Sequence, residues 1–407
     1  MANSNLTPDM ITREALRILH QKLNFCGNIV REYDSSFASE GGKIGNTLRI
    51  RMPLQYATGT GATIATGTGA DSIGTQTTLT VNTQRHVPMR FTSEELTMDI
   101  EDFSMRHIEP AMSILAAKIE YDGLSTAYKY VGNHVDAGTA VDFAEVMTAR
   151  ARLVETLAPM NDRVAIMDPQ GMVDLVNANK SLFQDSKEVS RQYKEGMMGR
   201  FGGFDFYENS LMPSHTTGAA GGTNTYDIAG ANQNVTPSSS VTDLTSQTLD
   251  IDVGTAVIAA GDIITIAGVN AVHPESKADL GYLKEFSVVA GGTGTTTITV
   301  APAIVSAGPY KNVSAAPADN AVVTVNGAAS TAYKQSLLFQ KGFMCMGTAD
   351  LVLPKGTDMA SRQQYDGISM RLVRDYAVVK DTMYTRLDVL YGFKVLRPDL
   401  AVRILHT

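Results

Sequence analysis

Ile263-Ile-Thr-Ile266, Phe286-Ser-Val-Val289, Thr297-Ile-Thr-Val300 and Val322-Val-Thr-Val325 are short runs rich in β-branched residues, set apart by Gly, Pro and Asn clusters. Runs of that length between turn formers read as strands. They share a composition. From Thr216 onward Gly, Ala, Ser and Thr dominate, and residues 216–332 hold three basic side chains, Lys277, Lys284 and Lys311, against nine acidic ones. This segment carries a net charge of −6, and the other 290 residues carry −2. The spacing predicts a small all-β domain, sandwich-like or barrel-like, inserted into a larger chain. Thr216–Thr223 and Asn326–Thr331 read as its linkers.

The pattern changes on both sides of the insert. Upstream, Thr7 and Pro8 suit a helix start, and Ile11, Ala15, Ile18, Leu19 and Leu23 give an apolar stripe that Gly27 can close. This helix either docks on a partner or packs on its own core. Lys43–Pro53 alternates around Ile44, Leu48, Ile50 and Met52, and Thr77–Val87 returns. Between them, residues 54–84 contain ten Thr, five Gly and one charge, Asp71. Such a two-stranded excursion has little to bury, so it stays free or is covered by a neighbouring subunit. A long helix starts near Asp102 or Ser104, with Ile108, Met112, Leu115 and Ile119 on one stripe, and runs to about Val131; Pro110 demands a late start or a kink. A second helix runs from Asp142 to Pro159. Arg163–Met167 reads as a buried strand, Asp168-Pro169 opens another helix, and Phe204–Tyr207 is a strand. Downstream, Gln335–Met346, Gly367–Asp375 and Thr382–Val395 are strand-like, and Leu400, Val402 and Ile404 alternate. The fold class is α+β with a β insert.

With 407 residues, 43% of them hydrophobic, the chain can build two or three cores. No apolar run is long enough for a membrane helix, and Met1-Ala-Asn-Ser-Asn5 lacks the features of a secretory signal. Cys26 and Cys345 are the only cysteines, which excludes a disulfide framework and a cysteine-rich zinc site. A net charge of −8 does not suggest a phosphate-gripping face. No P-loop, zinc-protease or nucleophile-elbow motif is present. Gly59-Thr-Gly61 lacks the strand–glycine–helix setting of a dinucleotide site. The seven histidines are dispersed and form no helical metal pair. Glu94, Glu95, Asp99, Glu101 and Asp102 read as an acidic turn and helix start, and Asp250 and Asp252 as a solvated strand face, rather than as cation sites. The residues therefore predict no catalytic, cofactor-binding or metal site.

Together, Leu6-Thr-Pro-Asp-Met-Ile-Thr-Arg-Glu-Ala-Leu16, Gly45-Asn-Thr-Leu-Arg-Ile-Arg-Met-Pro53, Ile108-Glu-Pro-Ala-Met112, Asp366-Gly-Ile-Ser-Met-Arg-Leu-Val-Arg374 and Asp381-Thr-Met-Tyr-Thr-Arg-Leu-Asp-Val-Leu-Tyr-Gly392 resemble tailed-bacteriophage major capsid proteins of the Hong Kong 97-type fold. The P22-type coat proteins, which carry an inserted β-barrel, are the narrower match. The likeness covers about 1–215 and 333–407; in 216–332 only position and β character match.

The resemblance implies an N-terminal arm (1–42), an E-loop excursion opening the peripheral domain (43–100), a spine helix (101–133), an axial domain in two parts (134–215 and 333–365) around the insert (216–332), and a peripheral β segment (366–407). It implies E-loop contacts between subunits through Arg49, Arg51, Tyr56, Thr58, Ile64, Asp71, Ile73 and Arg85, and arm contacts through Ile11, Ile18 and Leu19. The implied partners are further copies in hexamers and pentamers, a scaffolding protein, portal and cement proteins, and double-stranded DNA as cargo without sequence-specific binding. The place is the virion capsid, assembled in the bacterial cytoplasm. The insert, with its charge of −6, is expected on the outer surface. Some shells of this type are welded by a lysine of the E-loop, but no Lys lies between Lys43 and Lys118, so no such crosslink is expected. A tail-tube subunit or adhesin would also explain the insert, though not the long helix; an enzyme would need a site that no motif reveals.

Overall fold

The computed structural model describes residues 8–34, 47–56, 73–92, 107–179, 199–223, 226–238, 240–293, 296–365, 367–378 and 381–407. Two units are built from interleaved stretches: Met1–Leu48, Thr78–Gly123 and Met344–Lys394 in the first, Arg49–Thr77, Leu124–Phe343 and Val395–Thr407 in the second.

In the first unit, helix α1 (Pro8–Lys22) packs on strands β20 (Met359–Tyr365) and β21 (Ile368–Ala377). Ala15, Leu16, Ile18 and Leu19 are buried and Ile11 is half-buried. The helix ends before Gly27, and the turn after it is held by Glu120, whose buried carboxylate accepts from Phe25 N (2.6 Å) and Cys26 N (3.3 Å). The sheet has the order β1 (Val30–Asp34), β19 (Met344–Ala349), β22 (Thr382–Val395), β21, β20, with β4 (Thr83–Thr92) also paired to β22. The long helix α2 (Glu109–Ala127) places Pro110 in its first turn, where the missing N–H costs nothing. His107 and Ile108 ahead of it form a π-turn; residues 101–106, which hold the starts expected at Asp102 or Ser104, and Thr7 lie outside the described residues. Ile108, Met112, Leu115 and Ile119 are all buried.

A two-stranded ribbon, β2 (Thr47–Arg51) with β3 (Gln76–Thr80), forms the base of the excursion.

The second unit has a seven-stranded sheet in the order β5 (His134–Asp136), β23 (Ala401–His406), β18 (Ala332–Gln340), β6 (Arg163–Met167), β8 (Phe204–Glu208), β7 (Arg200–Phe201), with β9 (His215–Thr216) also on β18. The run expected over Gln335–Met346 is therefore two strands. A 3₁₀ turn at Lys341–Phe343 breaks it and sends β18 and β19 to different sheets. Helix α3 (Phe143–Glu155) opens with a capping box: Asp142 Oδ1 accepts from Ala144 N (2.6 Å), and Glu145 Oε2 from Asp142 N (3.1 Å). Helix α4 (Pro169–Asn179) follows β6 directly.

The end of α3 yields a stability prediction. Leu157 sits at φ +57°, with its N–H on Val154 O (3.0 Å) and Ala158 N on Leu153 O (2.9 Å), the two bonds of a Schellman stop. Glycine normally fills that position. Leu157 is 42% exposed and loses little packing on removal. Leu157→Gly is expected to stabilise the chain by about 1 kcal/mol, read as a raised urea midpoint.

The insert is a closed six-stranded barrel in the order β10 (Tyr226–Ile228), β11 (Gln247–Asp252), β16 (Thr296–Ala301), β14 (Asp279–Ala290), β13 (Ile263–Val272), β17 (Val322–Asn326). A small pair, β12 (Val257–Ile258) with β15 (Gly292–Thr293), stands beside it. All four runs that predict the domain are barrel strands. Tyr226, Leu249, Ile251, Ile264, Phe286, Val288 and Val300 point into one buried core. The two linkers are not free connectors: Thr217 N donates to Thr331 O (3.0 Å), Gly222 N to Val325 O (2.9 Å), and Ala220 is fully buried.

Candidate assembly surfaces and the barrel joint

The candidate sites are the surfaces that hold one part of the chain against another and those that stand exposed. The best-defined is the joint between the barrel and the seven-stranded sheet, formed within the second unit.

Arg403 lies at its centre, on β23, and is fully buried. Its Nη1 donates to Gly261 O (3.0 Å) and Gln335 Oε1 (3.4 Å), its Nη2 to Ser287 Oγ (3.3 Å), and the guanidinium lies 5.9 Å from the Tyr128 ring centroid. Burial lowers its pKa to about 10, leaving it a cation at neutral pH. Ser287 Oγ in turn donates to Lys129 O (2.7 Å). Gly261 adopts φ +107°, and a β-carbon there would meet the His215 and Tyr128 rings below 3.0 Å, so no other residue can present its carbonyl to Arg403 in this way.

Asp262, equally buried, holds the incoming linker. Its carboxylate takes Gly218 N (3.2 Å), Ala259 N (2.7 Å) and His215 Nε2 (2.8 Å). Further along β14, Glu285 accepts from His134 N (2.9 Å), lies 3.1 Å from His134 Nδ1, and meets Arg152 at 3.5 Å. Arg152 also lies over the Tyr282 ring (4.2 Å), and Tyr282 donates to Glu155 (2.8 Å). Lys284 pairs with Asp399 at 2.5 Å. At Gly132 a β-carbon would approach Glu285 O to 2.6 Å, so the two backbones are in contact.

Burial alone would push the Glu285 carboxyl up. The His134 hydrogen bond and charge, with Arg152, outweigh that and hold it below its ordinary 4.5. A carboxyl lowered by folding stabilises above its unfolded pKa, and that stability is lost as pH falls from about 4.5 through the lowered value. Glu285→Gln is therefore expected to cost about 1–2 kcal/mol at pH 7, and the urea midpoints of the two proteins should draw together as pH falls from 4.5 through the lowered value.

The second surface is the excursion. Arg49 and Arg51 project as exposed side chains from β2, and Tyr56 is 70% exposed. Ile73 is half-buried. Arg85 lies on β4, paired with Asp122 (2.8 Å), which also accepts from Tyr391 (2.6 Å), so in the single chain this guanidinium serves its own unit. Thr58, Ile64 and Asp71 lie outside the described residues, as do Gly59–Gly61 and the acidic run 94–102. Of the arm residues, Ile18 and Leu19 are inside the subunit's own core and only Ile11 retains partial exposure.

The joint itself is absent from the sequence-level candidates. Arg403 and Glu285 are single charged residues on two separate strands and Asp262 stands in the turn before a third, and the only available signal is the scarcity of charge around them. Among the described residues, no three metal-ligating side chains gather, and no helix is long and apolar enough to cross a membrane.

The chain matches the family model described as P22 coat protein, gene protein 5, over residues 17–404. No curated protein matches it. Among solved structures it is similar to the capsid of Ralstonia phage GP4 (7% identity, 94% of this chain and 88% of that one, TM-score 0.47). It is also similar to the capsid of the cyanophage P-SCSP1u (10% identity, 94% and 88%, TM-score 0.46). A third similarity is to the CUS-3 coat protein I-domain (30% identity, 26% of this chain and 97% of that one, TM-score 0.21).

Proposed function

Since the chain belongs to the P22 coat protein family, and is accordingly a major capsid protein that forms a phage shell and not an enzyme, we propose that it closes that shell through noncovalent contacts between hexamers and pentamers. In this reading residues 43–100 are the E-loop lying on a neighbouring subunit, residues 1–42 are an arm that adds to the contact, and the shell encloses double-stranded DNA. Assembly takes place in the bacterial cytoplasm on a scaffolding protein, with a portal and cement proteins as further partners. The family assignment sets aside the tail-tube and adhesin alternatives.

The observation that carries the contact reading is the ribbon of β2 and β3. It presents Arg49, Arg51 and Tyr56 outward, and it leads into a run, 54–84, with a single charge. A run with so little charge gains from being covered, and a shell repeats that contact many times, so each copy can be weak. The slightly acidic balance suits a container that encloses DNA without gripping it.

Negative-stain electron microscopy and sedimentation of the chain with its scaffold test the reading. Closed shells are expected for the native chain, and open or aberrant particles for the double variant Arg49→Glu, Arg51→Glu. Normal shells from that variant would overturn the contact role of the ribbon. Mature shells boiled in denaturant should run as single chains; covalent ladders would contradict the noncovalent reading.

A further inference from the structure

The excursion does not leave the body unattended. Tyr310, in the insert, touches both of its legs with one hydroxyl: Oη donates to Ile73 O (2.7 Å) and accepts from Gln55 N (3.4 Å). A second fastening lies four residues on. Thr77 Oγ1 donates to Asp243 Oδ2 (2.9 Å), and Gln76 N donates to Thr242 O (3.1 Å). Thr75 and Thr77 are buried, and Met52 N donates to Thr75 O (2.9 Å), which ties the outgoing leg to the returning one. Part of the uncharged run is therefore covered by the chain's own insert.

The fastening points are stiff on the insert side. Asn312 closes the Tyr310 loop from both directions: its Nδ2 donates to Ala303 O (2.7 Å), and its Oδ1 accepts from Val305 N (2.8 Å). Asp243 uses its other oxygen on Thr245 N (3.0 Å) and Thr245 Oγ1 (2.7 Å). A donor or acceptor held this way loses little entropy on making its bond, which is the condition for a positioning contact.

We propose that the inserted barrel is the socket of the excursion: Tyr310 and Asp243 position residues 52–56 and 73–77, and so prepare the E-loop for its neighbour before any neighbour arrives. The proposal rests on the E-loop reading above. It makes Tyr310 and Thr77 positioning residues for assembly, since both hydroxyls are engaged within the chain itself. A contact segment ordered in advance pays less entropy at association than one ordered by association.

Tyr310→Phe and Thr77→Val each remove one hydroxyl and leave the side-chain volume nearly unchanged. In the full-length unassembled protein, amide exchange at 54–56 and 73–77 is expected to quicken by roughly three- to tenfold per variant. Exchange in the barrel strands and thermal unfolding of the barrel should stay as in the parent. With scaffold, the yield of closed shells should fall in both variants. Unchanged exchange in both would overturn the proposal. Faster exchange with normal shells would overturn it as well, provided that Arg49→Glu, Arg51→Glu still disrupts assembly. If that double variant also assembles normally, the E-loop reading fails and takes the proposal with it.

Discussion

Asp262→Ala is expected to lower the stability of the barrel and its joint by about 3–5 kcal/mol, read as a lower urea midpoint by tyrosine fluorescence. The chain has no Trp, so tyrosine reports alone. The size follows from the number of groups left behind. A carboxylate with no solvent exposure accepts from two backbone N–H groups and one imidazole, and Gly218 and His215 are themselves buried. Asp262→Asn keeps the shape but replaces one acceptor oxygen by a donor, which would face a donor in turn. It is expected to recover no more than about half of the loss. A midpoint unchanged in Asp262→Ala would mean that the linker is not held through this carboxylate.

Arg403→Ala should cost a similar ~3–5 kcal/mol, because Gly261 O, Gln335 and Ser287 lose their common donor and a cavity opens between sheet and barrel. Arg403→Lys is the sharper variant. It keeps a cation but cannot reach three acceptors with a planar fork, so it is expected to recover only part of the loss. Both should make the two linkers more susceptible to proteolysis, because the contact that holds them packed is weakened. Cleavage at the parental rate, with an unchanged midpoint, would contradict the role of Arg403 at the joint.

Much of the fold is legible because it follows periodicity. The stripe Ile108, Met112, Leu115, Ile119 and the helix start near Asp142 are local signals, and tertiary context does not override them. The barrel follows from runs of β-branched residues. What escapes is of two kinds. β10 has only three residues, and β20, Met-Ala-Ser-Arg-Gln-Gln-Tyr, has almost no apolar face; its main qualification as a strand is the ladder that β21 offers it.

The other kind is the joint. The alternation of Leu400, Val402 and Ile404 assigns Arg403 to the opposite face, which normally meets water. β23 lies between β5 and β18, and the barrel occupies that face through Gly261 and Ser287, so the arginine is buried. No local pattern encodes a second domain arriving on a strand. For the same reason the linkers, Gly- and Ala-rich as free connectors are, turn out to be packed.

The sheets also impose an order of events during synthesis. All six barrel strands lie within residues 226–326 and can pair as soon as that stretch is available. In the first unit's sheet, β1 and β4 wait for β19 and β22; in the second, β5 waits for β23, at residues 401–406. On the ribosome, more than three hundred residues (including a closed barrel) precede the arrival of the strands that complete both sheets. Strand edges, not helices, are what remain open during that interval, and open edges are where chains join wrongly. A nascent coat subunit is thus most exposed to misassembly over the same edges that β19, β22 and β23 close.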